Sequence, residues 1–170
     1  MDLAGLNRAA PETAVTALLA CCASDAWAAA LTARRPFADE DELLTAASDT
    51  WWTLGEEDWL QAFAAHPRIG EASDGDDRHS AWSRSEQAAT AGADATVLGA
   101  LAACNRDYEA RFGHVYLVAA SGRSATQLLE QCQSRLDHDP DEEFLIAAGE
   151  QATITEMRLR KLLGIDWAGA

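Results

Sequence analysis

In this chain of 170 residues only one stretch, HVYLVAA at 114–120, has the β-branched and aromatic composition of a strand. One extended piece cannot build a sheet, because its backbone groups need a neighbouring strand to pair with. The rest of the chain carries helix-start signals. Pro11 suits a first helical position ahead of ETAVTALLACCA. Ser24 is placed to cap DAWAAALTARR. Asp39 with Glu42, and Thr53 with Glu56, have capping-box spacing. Asp94 can cap ATVLGALAACNRDYEARF, which Gly113 ends. Ser124 with Gln127 opens another helix, and Asp139, Pro140 and Glu142 open the last, which Gly164 closes. The expected fold is all-α: a single compact domain over residues 1–170, with about eight helices and one short extended segment. Residues 70–80 (GEASDGDDRHS) read as a mobile, exposed polar loop.

Composition narrows the function. Hydrophobic residues make up 48%, too many for wholesale disorder. No apolar run approaches the ~20 residues that span a bilayer. The start, MDLAGLNRAAPE, has no cationic segment followed by an apolar one, and the end, GIDWAGA, has no lipidation address. A net charge of −15, from 28 acids against 13 bases, excludes a nucleic-acid footprint and binding to anionic lipid. Much of the acid falls in patches such as DEDE and DPDEE that suit helix starts. Cys21, Cys22, Cys104 and Cys132 form no CxxC pair and no zinc spacing. They read as buried reduced thiols of a cytosolic protein.

Four features could carry chemistry. In AAHPRIGE a helix over 56–65 runs into His66 and then Pro67. Proline disfavours the α conformation in the residue before it, so His66 sits where the helix stops. There it either caps carbonyls or acts as an acid/base titrating near neutral pH. In WSRSEQ (82–87), Ser83 and Glu86 have capping-box spacing, and a helix start offers free N–H groups to an anionic or carbonyl-rich ligand. In the last helix, projection at ~100° per residue puts Ala147, Ala148, Ile154, Leu159 and Leu162 on one arc with Phe144. Glu143, Glu150, Thr153, Glu156 and Arg160 fall opposite. Arg158 lies inside the apolar arc, near Gln151 and Thr155. It is either one half of a structural salt bridge or a fork for a carboxylate or urea-like group. In the extended segment, backbone groups without ladder partners are satisfied by side chains or by a ligand.

Taken in order, HPRIG (66–70), WSRSEQ (82–87), YEARFG (108–113), VYLVAASGRS (115–124) and ITEMRLRKLL (154–163) resemble the OHCU decarboxylase family. ARRPF (33–37) and DWLQAFAAHP (58–67) are similar to it as well, so the likeness covers nearly the whole chain. The resemblance implies an all-helical enzyme without cofactor or metal. It would decarboxylate 2-oxo-4-hydroxy-4-carboxy-5-ureidoimidazoline (OHCU) to (S)-allantoin in urate breakdown. Carried over by motif, His66 and Glu86 are catalytic. Pro67, Ser83, Arg84, Ser85, Glu86, Gln87, the backbone of Tyr116, Leu117, Val118, Ala119 and Ala120, and Arg158 contact substrate. A cytoplasmic location and a homodimer belong to the same expectation. Two other readings stand beside it. One is a cofactor-free decarboxylase or hydratase of another ureide or small oxo acid. The other is a non-catalytic helical module in which His66, Glu86 and Arg158 satisfy one another.

Overall fold

A computed structural model describes residues 1–70, 82 and 92–164. Among these residues the fold is helical throughout, without strands: α1 (Leu3–Arg8), α2 (Pro11–Leu19), α3 (Asp25–Ala33), α4 (Glu40–Trp52), α5 (Glu56–Ala64), α6 (Ala95–Phe112), α7 (Ala125–Arg135) and α8 (Pro140–Leu163). Residues 115–120 run without regular secondary structure between α6 and α7, as their isolation in the sequence demanded. The chain divides into two units. One comprises Met1–Ala62 and the chain from Ala152 onward; the other is Phe63–Gln151.

The helix boundaries follow capping chemistry. Ser24 Oγ accepts from the Trp27 N–H at 3.2 Å, Asp39 Oδ1 from Glu42 at 2.8 Å, and Asp94 Oδ1 from Thr96 at 2.7 Å. Ser124 and Gln127 form a full reciprocal capping box. Gly113 ends α6 at φ 78°, a left-handed conformation that costs a Cβ-free residue nothing. Acids fill the first turns of α4, α5 and α8, where the helix dipole favours them.

One boundary differs from expectation. Thr53 does not cap α5. It ends α4 in a right-handed helical conformation, and its hydroxyl donates back to the Thr50 carbonyl at 2.9 Å. The Gly55 carbonyl opens α5 instead, accepting from Trp59 at 3.2 Å. Sequence spacing does not reveal which of two abutting helices a threonine serves. Helix α1 was also not anticipated, although Asp2 caps it by accepting from Gly5 at 2.7 Å.

In the first unit, Leu6, Leu18, Trp27, Leu31, Leu43 and Trp51 form the buried interior. Two buried indole N–H groups find carbonyls, Trp27 that of Ala47 and Trp59 that of Trp51, both at 3.0 Å. The ARRPF stretch anchors the N-terminal helix: Arg35 Nη1 donates to the Leu6 and Ala9 carbonyls at 2.5 and 3.0 Å.

In the second unit, Ile69, Leu101, Tyr108, Tyr116, Val118 and Leu128 pack together with Cys104 and Cys132. These two cysteines are bonded to each other, which corrects the reduced-thiol expectation. The packing of α6 on α7 brings their Cα atoms to 6.4 Å, within bridging range. Spacing along the chain could not show this, because the pair is 28 residues apart. Cys21 and Cys22 are buried thiols outside that bridge. No helix among the described residues is long and apolar enough to cross a membrane.

Candidate active site

Helix α5 stops at Ala64, and the His66 N–H donates to the Phe63 carbonyl at 3.0 Å in a closing turn. Pro67 then prevents the helix from resuming. His66 and Pro67 are half-buried. The next residues are fastened to α6. Arg68 grips Glu109 through two parallel hydrogen bonds of 2.7 and 2.9 Å. The buried Asn105 amide donates to the Ile69 carbonyl at 2.8 Å, and Gly70 turns the chain at φ 86°. The hydrogen bonds from Arg68 hold the Glu109 carboxyl below its ordinary range. HPRIG is thus a strap tied down at the His66 N–H, the Arg68 side chain and the Ile69 carbonyl.

The extended segment begins at His114, whose ring lies 5.3 Å from Phe63 and 5.5 Å from Tyr108, centroid to centroid. Burial pushes the His114 imidazole below its usual pKa, against the Val115 carbonyl and Glu143, which raise it. Further along, side chains take some of the backbone groups. The Leu117 carbonyl accepts from Arg135 Nη1, and the Ala119 N–H donates to Glu150 Oε2, both at 2.8 Å. The Ala120 carbonyl accepts from the Arg123 N–H at 3.1 Å.

Beneath this segment lies a buried ionic cluster that sequence reasoning missed. Glu143 has no exposure, although helical projection put it on the polar face. It accepts from Arg135 Nε at 2.7 Å and from the Tyr108 hydroxyl, and its other oxygen lies 2.7 Å from His138 Nδ1. Projection fails here because a single helix cannot report that a cation from another helix waits above its first turn. Burial alone would lower the Arg135 pKa; the hydrogen bond and charge of Glu143 reverse that and hold it raised. Burial also pushes the hydroxyls of Tyr108 and Tyr116 well above the usual phenol range.

Arg158 stands on α8 with no exposure, on one stripe with buried Gln151 and Thr155. Its neighbour is Cys22, whose thiol bonds to Thr155 and feels the Arg158 charge, while burial pushes its pKa up to about 12. Ala147, Ala148, Ile154, Leu159 and Leu162 are buried as projected. A cleft of about 130 Å³ in the same unit is lined by Ala47, Trp51, Thr155, Glu156 and Leu159, and by none of the expected site residues.

His66, Pro67 and Tyr116–Ala120 therefore belong to one unit and Arg158 to the other. Ser83, Arg84, Ser85, Glu86 and Gln87, and most of the 70–80 loop, lie outside the described residues. No three His, Cys, Asp or Glu side chains converge as metal ligands among the described residues.

This helical architecture is shared with known carboxy-lyases. A solved OHCU decarboxylase, crystallised in the presence of (S)-allantoin, is 33% identical with a TM-score of 0.78, covering 88% of this chain and 98% of that one. A solved (S)-allantoin synthase shares the fold, with a TM-score of 0.74 at 18% identity over 100% of this chain and 56% of that one. The family model described as OHCU decarboxylase matches residues 7–160, and the chain belongs to the OHCU decarboxylase family. Among curated relatives, the uric acid degradation bifunctional protein TTL of Arabidopsis thaliana is 34% identical over 84% of this chain. The chain spans 45% of that protein's length. The 2-oxo-4-hydroxy-4-carboxy-5-ureidoimidazoline decarboxylase of Halalkalicoccus jeotgali is 27% identical over 92% of this chain and 89% of its own.

Proposed function

We propose that this protein decarboxylates OHCU to (S)-allantoin in urate breakdown, without cofactor or metal, through His66 as acid/base. The observation that carries the reading is the His-Pro strap: an imidazole at a forced helix end, followed by Arg68 and Ile69, each hydrogen-bonded to α6. Family membership and the (S)-allantoin present with the solved relative support the choice of substrate and product.

The chemistry suits these groups. The OHCU carboxylate sits beside a ring C=N bond. Loss of CO₂ pushes the bond's electron pair into that C=N, giving an enamine-like intermediate with no external electron sink. The protein must hold the carboxylate out of the ring plane, then deliver a proton to one face. In this reading His66 manages the proton, and Glu86 orients His66 and accepts from the 4-hydroxyl or ureido N–H. Arg158 and Gln87 hold carbonyl and carboxylate oxygens, with Pro67, Ser83, Arg84 and Ser85 completing the wall. Backbone groups of Tyr116–Ala120 read the ureide edge. A positioned acid/base contributes roughly 10²–10⁴-fold, and orientation adds more.

Residues 1–170 act as one catalytic domain in this reading, which extends to a cytoplasmic homodimer. The Cys104–Cys132 bridge removes the thiol argument for that location, so it rests on the resemblance alone. The test is to generate OHCU from urate with urate oxidase and hydroxyisourate hydrolase, then follow circular dichroism. Fast decay to optically active allantoin is expected; racemic product at the uncatalysed rate removes the proposal. Light scattering on the same sample tests the dimer.

A further inference from the structure

Leu117 and Ala119 lie two residues apart on the extended segment and are held from the same side. Arg135 of α7 takes the Leu117 carbonyl, Glu150 of α8 takes the Ala119 N–H, and Arg135 Nη1 stands 3.9 Å from Glu150 Oε1. Both anchors are themselves braced. Arg135 is locked by buried Glu143. Glu150 Oε1 accepts from Gln131 Nε2 at 3.5 Å, and Gln131 Oε1 accepts from Arg123. In an extended chain, successive peptide groups point to alternate sides. Fixing residues 117 and 119 on one side therefore turns the N–H and C=O of Val118 to the other.

We propose that Glu150 is a positioning residue, whose carboxylate holds the Ala119 N–H and thereby sets the register in which the Tyr116–Ala120 backbone meets a ureide. The inference rests on the reading above that this backbone touches substrate. Glu150 reaches the substrate only through the peptide it holds. A carboxylate fits the task for two reasons. It accepts a charge-assisted bond from the peptide, stronger than a neutral one. It also places a second negative charge near Arg135, beside that of Glu143. With the anchor gone, the peptide can rotate and the donor–acceptor order presented to the ureide is lost.

The experiment compares Glu150→Ala with Glu150→Gln. Glutamine keeps an oxygen that can accept from the Ala119 N–H; alanine does not. In steady-state turnover of enzymatically generated OHCU, E150A is expected to raise KM at least roughly tenfold with kcat little changed, as losing one positioning hydrogen bond implies. E150Q is expected to stay within about threefold of wild type. Hydrogen exchange at the Ala119 amide should accelerate in E150A and not in E150Q. Wild-type KM in E150A overturns the proposal, as does an E150Q as impaired as E150A, or an unchanged Ala119 exchange rate. If the wild-type protein fails to turn over OHCU, the substrate reading falls, and the exchange comparison alone decides whether Glu150 holds the segment.

Discussion

Arg68 and Glu109 face each other fork to fork, Nε on Oε1 and Nη2 on Oε2, at 2.7 and 2.9 Å. This pair fixes the residue two places after His66 to helix α6. Its side chains are 41% and 24% exposed, so its contribution to stability is small, about 1 kcal/mol or less. Its value lies in geometry. Arg68→Gln is expected to leave the melting temperature within a few degrees of wild type and to lower kcat/KM about tenfold, as the strap carrying His66 loosens. The pH dependence has a definite sign. The Glu109 pKa is depressed in the fold, so the pair stabilises above the ordinary carboxylate range and is lost as pH falls through the lowered value. The stability gap between wild type and R68Q should therefore close in acid. A gap that widens there contradicts the assignment.

His66→Asn is expected to fold normally and to lose most turnover, roughly 10²-fold or more, because the proton step loses its group. Steady-state rates and a thermal melt on the same preparation decide it. A folded variant with more than about a tenth of wild-type activity would make His66 a structural end-cap.

Much of this fold was legible because helix starts are written locally. Ser24, Asp39, Asp94 and Ser124 each cap the helix their spacing announced. The extended segment was legible for a similar reason: its composition stood alone. Arg158 was placed in the buried arc by projection, and it is buried. What could not be read were pairings between distant elements. Glu143 looked solvated because its partners, Tyr108 and Arg135, lie on other helices. Cys104 and Cys132 meet only because α6 packs on α7. Of the anticipated backbone contacts to substrate, side chains hold the Leu117 carbonyl and the Ala119 N–H, a division visible only in three dimensions.

The disulfide closes a loop of 28 residues around the extended segment. In the loop-entropy description a bridge of that span stabilises by about 3–4 kcal/mol. Cys132→Ser or exhaustive reduction should lower the melting temperature by several degrees. Titration of the denatured protein should count two thiols, from Cys21 and Cys22, rising to four on reduction. Four thiols in the unreduced, denatured protein would show that the bridge is not formed.

His114 supplies a pH effect of its own. Its folded pKa is depressed, chiefly by burial among Phe63, Tyr108, Phe112 and Phe144. A group depressed in the fold favours the native state above its unfolded pKa, ~6.5 for histidine, and loses that contribution as pH falls towards the folded value. Melting temperature should therefore decline from about pH 6.5 downward. His114→Phe keeps the aromatic packing and should flatten that part of the profile. An equally steep decline in H114F assigns the effect to another group.

Arg158 offers a sharper test, because two roles predict different variants. The side chain has no exposure and lies beside Cys22 and Thr155. If Arg158 serves only as a buried charge, any cation that fits should replace it. If it serves as a planar fork for two oxygens of the substrate, a lysine cannot, since an ammonium keeps the charge and loses the paired geometry. Arg158→Lys keeps any internal counter-charge satisfied, so the melting temperature should stay close to wild type, while kcat/KM falls at least about tenfold. Arg158→Gln removes the charge as well. Its kcat/KM should fall at least ~100-fold, about 2.7 kcal/mol of transition-state binding. If a carboxylate pairs with Arg158 inside the fold, R158Q also strands that charge, at a cost of roughly 3–5 kcal/mol. The activity of R158K per folded molecule is the deciding number. Full activity there, with R158Q impaired only in proportion to its unfolding, would place Arg158 in the structural interior and outside the site.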